Sequence, residues 1–494
     1  MKMLRNVLLA VILIISASCK NEKKEDLGSK IVSSDNEIRK PNIIYILADD
    51  LGYGDLSIYG QKKFSTPNID KLAKNGMLFT QHYSGSTVCA PSRSTLMTGM
   101  HTGHTVVRGN KEIDPEGQYP IPDETFTIAE ALKKAGYTTG AFGKWGLGYP
   151  GSEGDPTAQG FDNFFGYNCQ RLGHNYYPRH LWSNNDSIVL PKNAGYNKGT
   201  YAPQLIHEKT IEFIEQNKEV PFFAYVASII PHAELAAPEE IVKKYRGEFN
   251  PEKAFKGIDE GPNYRLGPYE SQAEPHATFA AMVEILDAQV GEIMAKVEAL
   301  GIAQNTLIIF TSDNGPHREG GADPDYFDSN GIYKGYKRDL YEGGIRVPMI
   351  ASWPGKIRPN TRTDHISAFW DVFPTFTEIA DVNTPTNLDG VSFLPTLTGN
   401  NEAQEQHEYL YWEFHEKGGR QAVRKGNWKA VKYNVLKKPN APIKLFDLQN
   451  DPGEENDIAH LHPEMVEVMD SIIRHSRTDS KVFTFSQKTF LNVN

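Results

Sequence analysis

A cysteine two residues before a proline, with an arginine two residues beyond it, is the pattern in this chain best suited to chemistry on an anion. It lies in Ser86-Thr87-Val88-Cys89-Ala90-Pro91-Ser92-Arg93-Ser94-Thr95-Leu96-Met97-Thr98-Gly99. Proline favours a helix's first turn and glycine its far end, so the spacing predicts a short helix with Cys89 beside its positive N-terminus. A thiol there, with Arg93 one turn on, is expected to be a low-pKa nucleophile. Four other reactive groups follow short apolar runs: Asp49-Asp50, Lys144, Pro231-His232 and Asp313-Asn314. Asp49, Asp50, Asp313 and Asn314 offer only oxygen donors, three of them anionic, which suits a hard divalent cation and favours Ca²⁺ over Mg²⁺.

The runs before these groups are the elements that must position them. Residues 42–48 form a continuous apolar stretch, as expected of a strand buried on both faces of a parallel sheet. Residues 137–142, 221–227 and 306–311 read the same way, and helical spacing appears at 125–134, 202–216 and 277–300. In a doubly wound sheet the ligand site lies outside the carboxyl ends of the strands, so all four strand ends should meet on one rim. After Pro348 the pattern changes. A last large-domain helix is read at 370–380, then strands at 409–414, 421–423, 428–433 and 444–447, and a helix at 463–475. The fold class is therefore α/β: a large domain with a mostly parallel sheet between helices, plus a small C-terminal antiparallel sheet with one packed helix. The stretches 149–200 and 231–275 are long enough to be read as loops lining the site.

Composition sets limits on partners. The 494 residues carry 52 Lys plus Arg and 62 Asp plus Glu, a net charge of −10, so an anionic substrate must be drawn by a local positive pocket and nucleic acid is not expected. Residues 1–19 read as an export signal: Lys2 and Arg5, an apolar core at 7–15, and small residues leading to Cys19. Cys19 resembles the lipidated cysteine of a bacterial lipoprotein box, with simple secretion as the alternative. Residues 20–40 are then a tether, 41–400 the catalytic domain and 401–494 the small C-terminal subdomain. With Cys19 and Cys89 committed, Cys169 is left alone, and no disulfide framework is expected.

From residue 41 to about 457 the chain resembles the type I sulfatases of the alkaline-phosphatase-like superfamily, through Cys89-x-Pro91-Ser92-Arg93, Leu96-x-Thr98-Gly99, Gly143-Lys144-Trp145 and the segment Lys337-Arg338-Asp339-Leu340-Tyr341-Glu342-Gly343-Gly344. The resemblance implies that Cys89 is converted to formylglycine by a separate maturation enzyme, and that Asp49, Asp50, Asp313 and Asn314, with position 89, hold calcium. Arg93 would steady the aldehyde hydrate, Lys144 and Lys337 would hold sulfate oxygens, and His232 would protonate the leaving oxygen. One hydroxyl of the hydrate attacks sulfur and the other lets sulfate leave, an exit that a serine or cysteine ester lacks. One departure stands out: the family usually places histidine where Gly146 lies, and His174 is the candidate to replace it.

His101, His104, Arg108, Asn110, Arg171, His174 and His415 are candidates for reading the alcohol half of the substrate, and Trp145, Trp182, Tyr176 and Tyr177 could stack on sugar rings. The resemblance thus points to an exported bacterial lipoprotein, periplasmic or on the cell surface, that hydrolyses a carbohydrate sulfate, with galactose or N-acetylgalactosamine sulfate the narrower expectation. Its membrane contact would be a lipid anchor only. A phosphonate or phosphodiester hydrolase and an impaired, glycan-binding lipoprotein remain as other readings.

Overall fold

The computed structural model describes residues 39–485; the export signal, Cys19 and nearly all of the tether lie outside the described residues. In chain order the main strands of the large sheet are β1 (Asn42–Ala48), β2 (Met77–Tyr83), β3 (Thr138–Lys144), β4 (Asn163–Tyr167), β5 (His180–Ser183), β6 (Asp186–Val189), β7 (Phe222–Ala227), β8 (Thr306–Ser312) and β9 (Arg346–Ser352). They lie in the order β2-β9-β8-β1-β7-β3-β4-β5-β6, with Thr361–Thr363 beside β2 at one edge. The central block β8-β1-β7-β3-β4 is parallel throughout. Antiparallel strands flank it on both sides.

The main helices are, in chain order, α1 (Pro67–Lys74), α2 (Cys89–Thr98), α3 (Ile128–Lys134), α4 (Ala202–Gln216), α5 (Pro275–Ala299), α6 (Val372–Ile379) and α7 (Pro463–His475). Successive strand residues point to opposite faces, and β1 shows why its whole run is apolar. Ile44, Ile46 and Ala48 join one core with side chains of α1, α4 and α5, whereas Ile43, Tyr45 and Leu47 join a second with α2, α3 and α6. The result is a three-layer α/β structure with the site at the strand ends.

Two sequence expectations need correction. Part of the presumed loop 149–200 is sheet: β4 to β6 add three strands of only 4 or 5 residues, too short for an apolar-run reading. Pro348 lies inside buried strand β9, where the pairing with β2 shifts between Val347 and Met349. A proline without an N–H is tolerated at such a bulge.

Strands Leu410–Phe414, Arg420–Lys425, Trp428–Tyr433 and Lys444–Asp447 form the antiparallel sheet expected near the C-terminus. One face packs on α7 through Met469 and Ile473; the other buries Trp412, Phe414 and Val431 against Tyr83, Leu340 and Trp370 of the large sheet's surroundings. Among the described residues, no helix is long and apolar enough to cross a membrane.

Gly99 ends α2 in the left-handed region at φ 69°, its N–H donating to the Thr95 carbonyl. A Cβ there would lie 3.0 Å from Phe373 Cβ and 3.1 Å from Leu388 Cδ1. Gly99→Ala is expected to cost about 1–2 kcal/mol, read as a lower denaturant midpoint with unchanged slope. An unshifted midpoint would show that the cap carries no strain.

Candidate active site

The central parallel strands run in register, Ala48 opposite Ser312, Leu47 opposite Ala227 and Gly143 opposite Ala227. Their carboxyl ends therefore share one edge, which receives Asp49-Asp50, Asp313-Asn314, Lys144 and, after the turn from β7, His232. Helix α2 aims its first residue, Cys89, at the same edge. Lys337 arrives from the segment before β9. Asp50 sits at φ 64°, a conformation costing on the order of 1 kcal/mol for a non-glycine residue. This turn gives two consecutive carboxylates different partners.

Asp49 faces Arg93 and Lys144: its Oδ2 lies 3.3 Å from Arg93 Nη2 and 2.7 Å from Lys144 Nζ. Asp50 faces Lys337, His232 and Asn314, accepting from Lys337 Nζ at 2.7 Å and from Asn314 Nδ2 at 2.7 Å, with His232 Nε2 3.3 Å from Oδ2. Cys89 lies between the halves. Its Sγ is 3.2 Å from Asp49 Oδ1, 3.4 Å from Lys144 Nζ and 4.0 Å from Asp50 Oδ1. Arg93 donates to Asp313 Oδ2 from Nε at 3.3 Å and Nη2 at 2.9 Å, and to the Lys144 carbonyl. Ser92 Oγ donates to the Asp313 carbonyl at 2.6 Å, locking α2 to the end of β8.

The electrostatics correct one expectation. Burial pushes the Cys89 thiol well above its usual range, and the Asp313 and Asp49 charges add to that shift. Arg93, whose guanidinium also pairs with those two carboxylates, pulls the thiol the other way and is outweighed. Burial and the charges of Asp49 and Asp50 raise the Asp313 carboxyl to about 7. Against its own burial, Asp49 is held well below the usual carboxylate range by Lys144, His232 and Arg93. Burial, Lys337 and Lys144 push His232 well below its ordinary value. Its Nδ1–H donates to the Ala233 carbonyl, so Nε2 faces the site and accepts from Lys337 Nζ at 2.9 Å.

The donor set fits a divalent metal. Asn314 Oδ1 is buried with no hydrogen-bond partner among the described residues, as expected of an oxygen reserved for a cation. Ligand atoms of Asp49, Asp50, Cys89 and His232 all lie within 4.8 Å of one another. Three carboxylates here meet three fixed cations, Arg93, Lys144 and Lys337. A divalent ion would give the pocket a surplus positive charge, the sign needed for an anionic ester.

His174 belongs to this cluster. Its ring stacks on His232 with centroids 4.9 Å apart, and Nδ1–H donates to the Gly267 carbonyl at 2.9 Å. Buried Glu234 fixes its loop, accepting from the Tyr176 N–H and the Asn175 amide, while the Glu234 N–H donates to the His174 carbonyl. Asn110 also reaches α2, its Oδ1 accepting from the Ala90 N–H at 3.0 Å.

Other candidates make contacts with the scaffold, some of them buried and others partly exposed. Arg108 and His415 are 3% and 1% exposed and pair with buried Glu413, at 3.4 and 2.8 Å. His101 and His104 stack at 4.3 Å and face Asp389, tying the end of α2 to the 389 loop. Arg171 donates to the Pro115 carbonyl and lies 4.0 Å from Glu112. Trp145, Tyr176 and Tyr177 are buried, and half-buried Trp182 donates to Glu116, so these aromatics pack their loops.

Sequence reasoning missed His317, whose ring stacks with that of His232 at 5.6 Å, and Glu319, 3.7 Å from Lys337. The available signal was their position just beyond Asp313-Asn314.

Comparison with known proteins places the chain in a family. Residues 41–382 match the sulfatase family, and residues 331–479 match the C-terminal region of N-sulphoglucosamine sulphohydrolase. The chain is 30% identical to an N-acetylgalactosamine-6-O-sulfatase of Bacteroides thetaiotaomicron, over 89% of this chain and 94% of that one. It is 31% identical to arylsulfatase A of Homo sapiens, over 87% and 86% respectively. Among solved structures, Ps i-CgsB in complex with k-i-k-neocarrahexaose is 29% identical, with a TM-score of 0.73 over 89% of this chain and 93% of that one. Matched by one family over most of its length, with the strand arrangement of the alkaline-phosphatase-like fold, the chain belongs to the sulfatases and is a sulfuric ester hydrolase.

Proposed function

We propose that this sulfatase removes sulfate from a carbohydrate, with galactose or N-acetylgalactosamine sulfate the favoured substrate, using formylglycine made from Cys89 and a calcium ion held by Asp49, Asp50, Asp313 and Asn314. The observation that carries the reading is the buried Cys89 sulfur, set between Asp49 and Lys144 on an edge lined by charged and polar groups. The N-acetylgalactosamine-6-O-sulfatase relative and the neocarrahexaose complex of Ps i-CgsB support the saccharide part. The proposal extends to conversion of Cys89 by a maturation enzyme and to export as a lipoprotein anchored at Cys19, periplasmic or at the cell surface.

When formed, formylglycine supplies a hydrated aldehyde whose oxygens attack sulfur and then release sulfate; calcium supplies charge that binds and polarises the ester. The chain's own residues do the rest. Lys144 and Lys337, buried and fixed by Asp49 and Asp50, supply positive charge for the sulfate oxygens in a dry pocket where such charge acts strongly. Arg93 keeps Asp49 and Asp313 in place. His232, its Nδ1–H anchored, presents Nε2 as the carrier of a proton to the departing alcohol oxygen. Burial and the two lysines keep the ring neutral, and an anionic ester on the lysines relieves the second of these.

The test is sulfate release from a panel of defined sulfated mono- and disaccharides. Galactose and N-acetylgalactosamine sulfates are expected to turn over, with activity lost on chelation and restored by Ca²⁺ better than by Mg²⁺. Turnover confined to small aryl sulfates, or faster aryl phosphodiester cleavage, would overturn the substrate assignment. Saccharide binding without release would mark a glycan-binding role.

A further inference from the structure

Behind the lysine end of β3 lies a group of carboxamides that the mechanism above does not use. Gln118, Asn168 and Gln170 are 0%, 0% and 4% exposed. Gln118 Nε2, both amide atoms of Asn168 and both of Gln170 have no hydrogen-bond partner among the described residues. Leaving such a group unpaired costs roughly 1–3 kcal/mol. Five such atoms on three buried residues call for partners outside the protein, and buried water commonly meets groups of this kind.

Gln170 is linked to Gln118, and Asn168 to the turn that follows β3. The Gln170 N–H donates to Gln118 Oε1 at 3.2 Å, and the Gly146 N–H donates to the Asn168 carbonyl at 2.9 Å. Gly146, at φ 79°, stands two residues after Lys144. A Cβ at 146 would lie 1.7 Å from Gln170 Nε2, so the Gln170 amide occupies the space that a side chain at 146 would need. The same loop packs on the lysine itself: a Cβ at Gly173 would lie 3.2 Å from Lys144 Cδ. Lys144 Nζ is in turn 3.4 Å from Cys89 Sγ.

We propose that Gln170 is a positioning residue whose carboxamide, filling the space above Gly146, holds with Asn168 and Gln118 an ordered water that orients the sulfate-releasing oxygen at position 89. The inference rests on the formylglycine reading above. Gln170 contributes hydrogen bonds only; no covalent bond forms or breaks at it. It also accounts for how Gly146 is tolerated: the polar contact comes from the neighbouring loop.

Gln170→Met keeps the volume and removes both amide atoms, whereas Gln170→Glu keeps an acceptor. In the matured full chain with a sulfated saccharide, Gln170→Met is expected to lower kcat for sulfate release by roughly 10- to 100-fold, with KM changed by less than about twofold. The alcohol should then appear in a burst of one equivalent per site ahead of sulfate. Gln170→Glu should recover part of the loss. A crystal structure of the unmodified full chain provides a readout independent of activity and of whether the variant folds: an ordered water bridging the Gln170 and Asn168 amides is expected. A dry amide pocket, or Gln170→Met with unchanged kcat and no burst, would overturn the inference while leaving the formylglycine reading intact. Peptide mass spectrometry finding unconverted Cys89 in fully active protein would overturn that reading, and this inference with it.

Discussion

Cys89→Ala in the full chain, compared with the matured wild type, is expected to abolish sulfate release, lowering kcat by about 10⁴- to 10⁶-fold, the range seen when a covalent nucleophile is removed. The loss should be chemical. Cys89 is the first residue of α2, and alanine is a better helix former there. The removed γ atom touches Asp49 and Lys144, which keep their mutual 2.7 Å pair without it. The melting temperature should therefore move little, and substrate should still bind to the lysines. Cys89→Ser sharpens the test. A serine that remained a serine could be sulfated once, but it lacks the second oxygen on the same carbon needed to expel sulfate. It should release at most one equivalent of alcohol per site and stop. Cys89→Ala retaining more than about a hundredth of the activity would show that the nucleophile lies elsewhere.

How much of this site could be read from the chain depends on what each residue's role requires. Asp49, Lys144 and Asp313 end or follow continuous apolar runs, and a strand buried on both faces leaves that trace whatever surrounds it. Strand β2 was harder to see because its solvent-leaning positions, Leu78 and Gln81, alternate in polarity with buried neighbours that include polar His82. Strand β9 was hidden by Pro348, whose bulge depends on β2 being alongside. The same limit applies to side chains. Arg108 and His415 look like free donors in sequence, and only tertiary packing reveals that both serve Glu413. Gln170 carries no motif; its relation to Gly146 exists only once β3 and the loop after β4 are folded together. The raised Cys89 thiol belongs here too. Helix position and Arg93 argued for the opposite sign, and burial beside two carboxylates outweighed them.

Glu342→Gln is expected to destabilise the fold by about 3–5 kcal/mol, the cost of leaving buried cations without their counter-charge. Glu342, 0% exposed, accepts from Lys429 Nζ at 2.7 Å and from Arg346 Nη1 at 3.2 Å, and it takes the Tyr83 hydroxyl proton as a hydrogen bond. Arg424 donates to that same hydroxyl. Lys429 and Arg424 belong to the small antiparallel sheet, while Glu342 follows closely after Lys337, so this network joins the C-terminal sheet to the segment that brings Lys337 to Asp50. Burial alone would raise the Glu342 carboxyl, but Lys429, Arg346 and Arg424 outweigh it and hold it at about 2. A carboxyl depressed in the folded state stabilises fully above its unfolded value, near 4.3. That contribution is lost as pH falls from there towards 2. The gap between wild type and Glu342→Gln, measured by denaturant midpoints, should be full at pH 7 and narrow below about pH 4. Glu454 sets the main compensation: burial pushes its carboxyl up to about 8, with the Glu342 charge adding to that push, and its Oε1 lies 3.8 Å from Lys429 Nζ. In Glu342→Gln it can ionise more readily and take over part of the lysine. The double variant Glu342→Gln/Glu454→Gln should therefore lose more than the two single losses added together. A strictly additive pair, or a gap that does not change with pH, would show that the network acts through shape and not through charge.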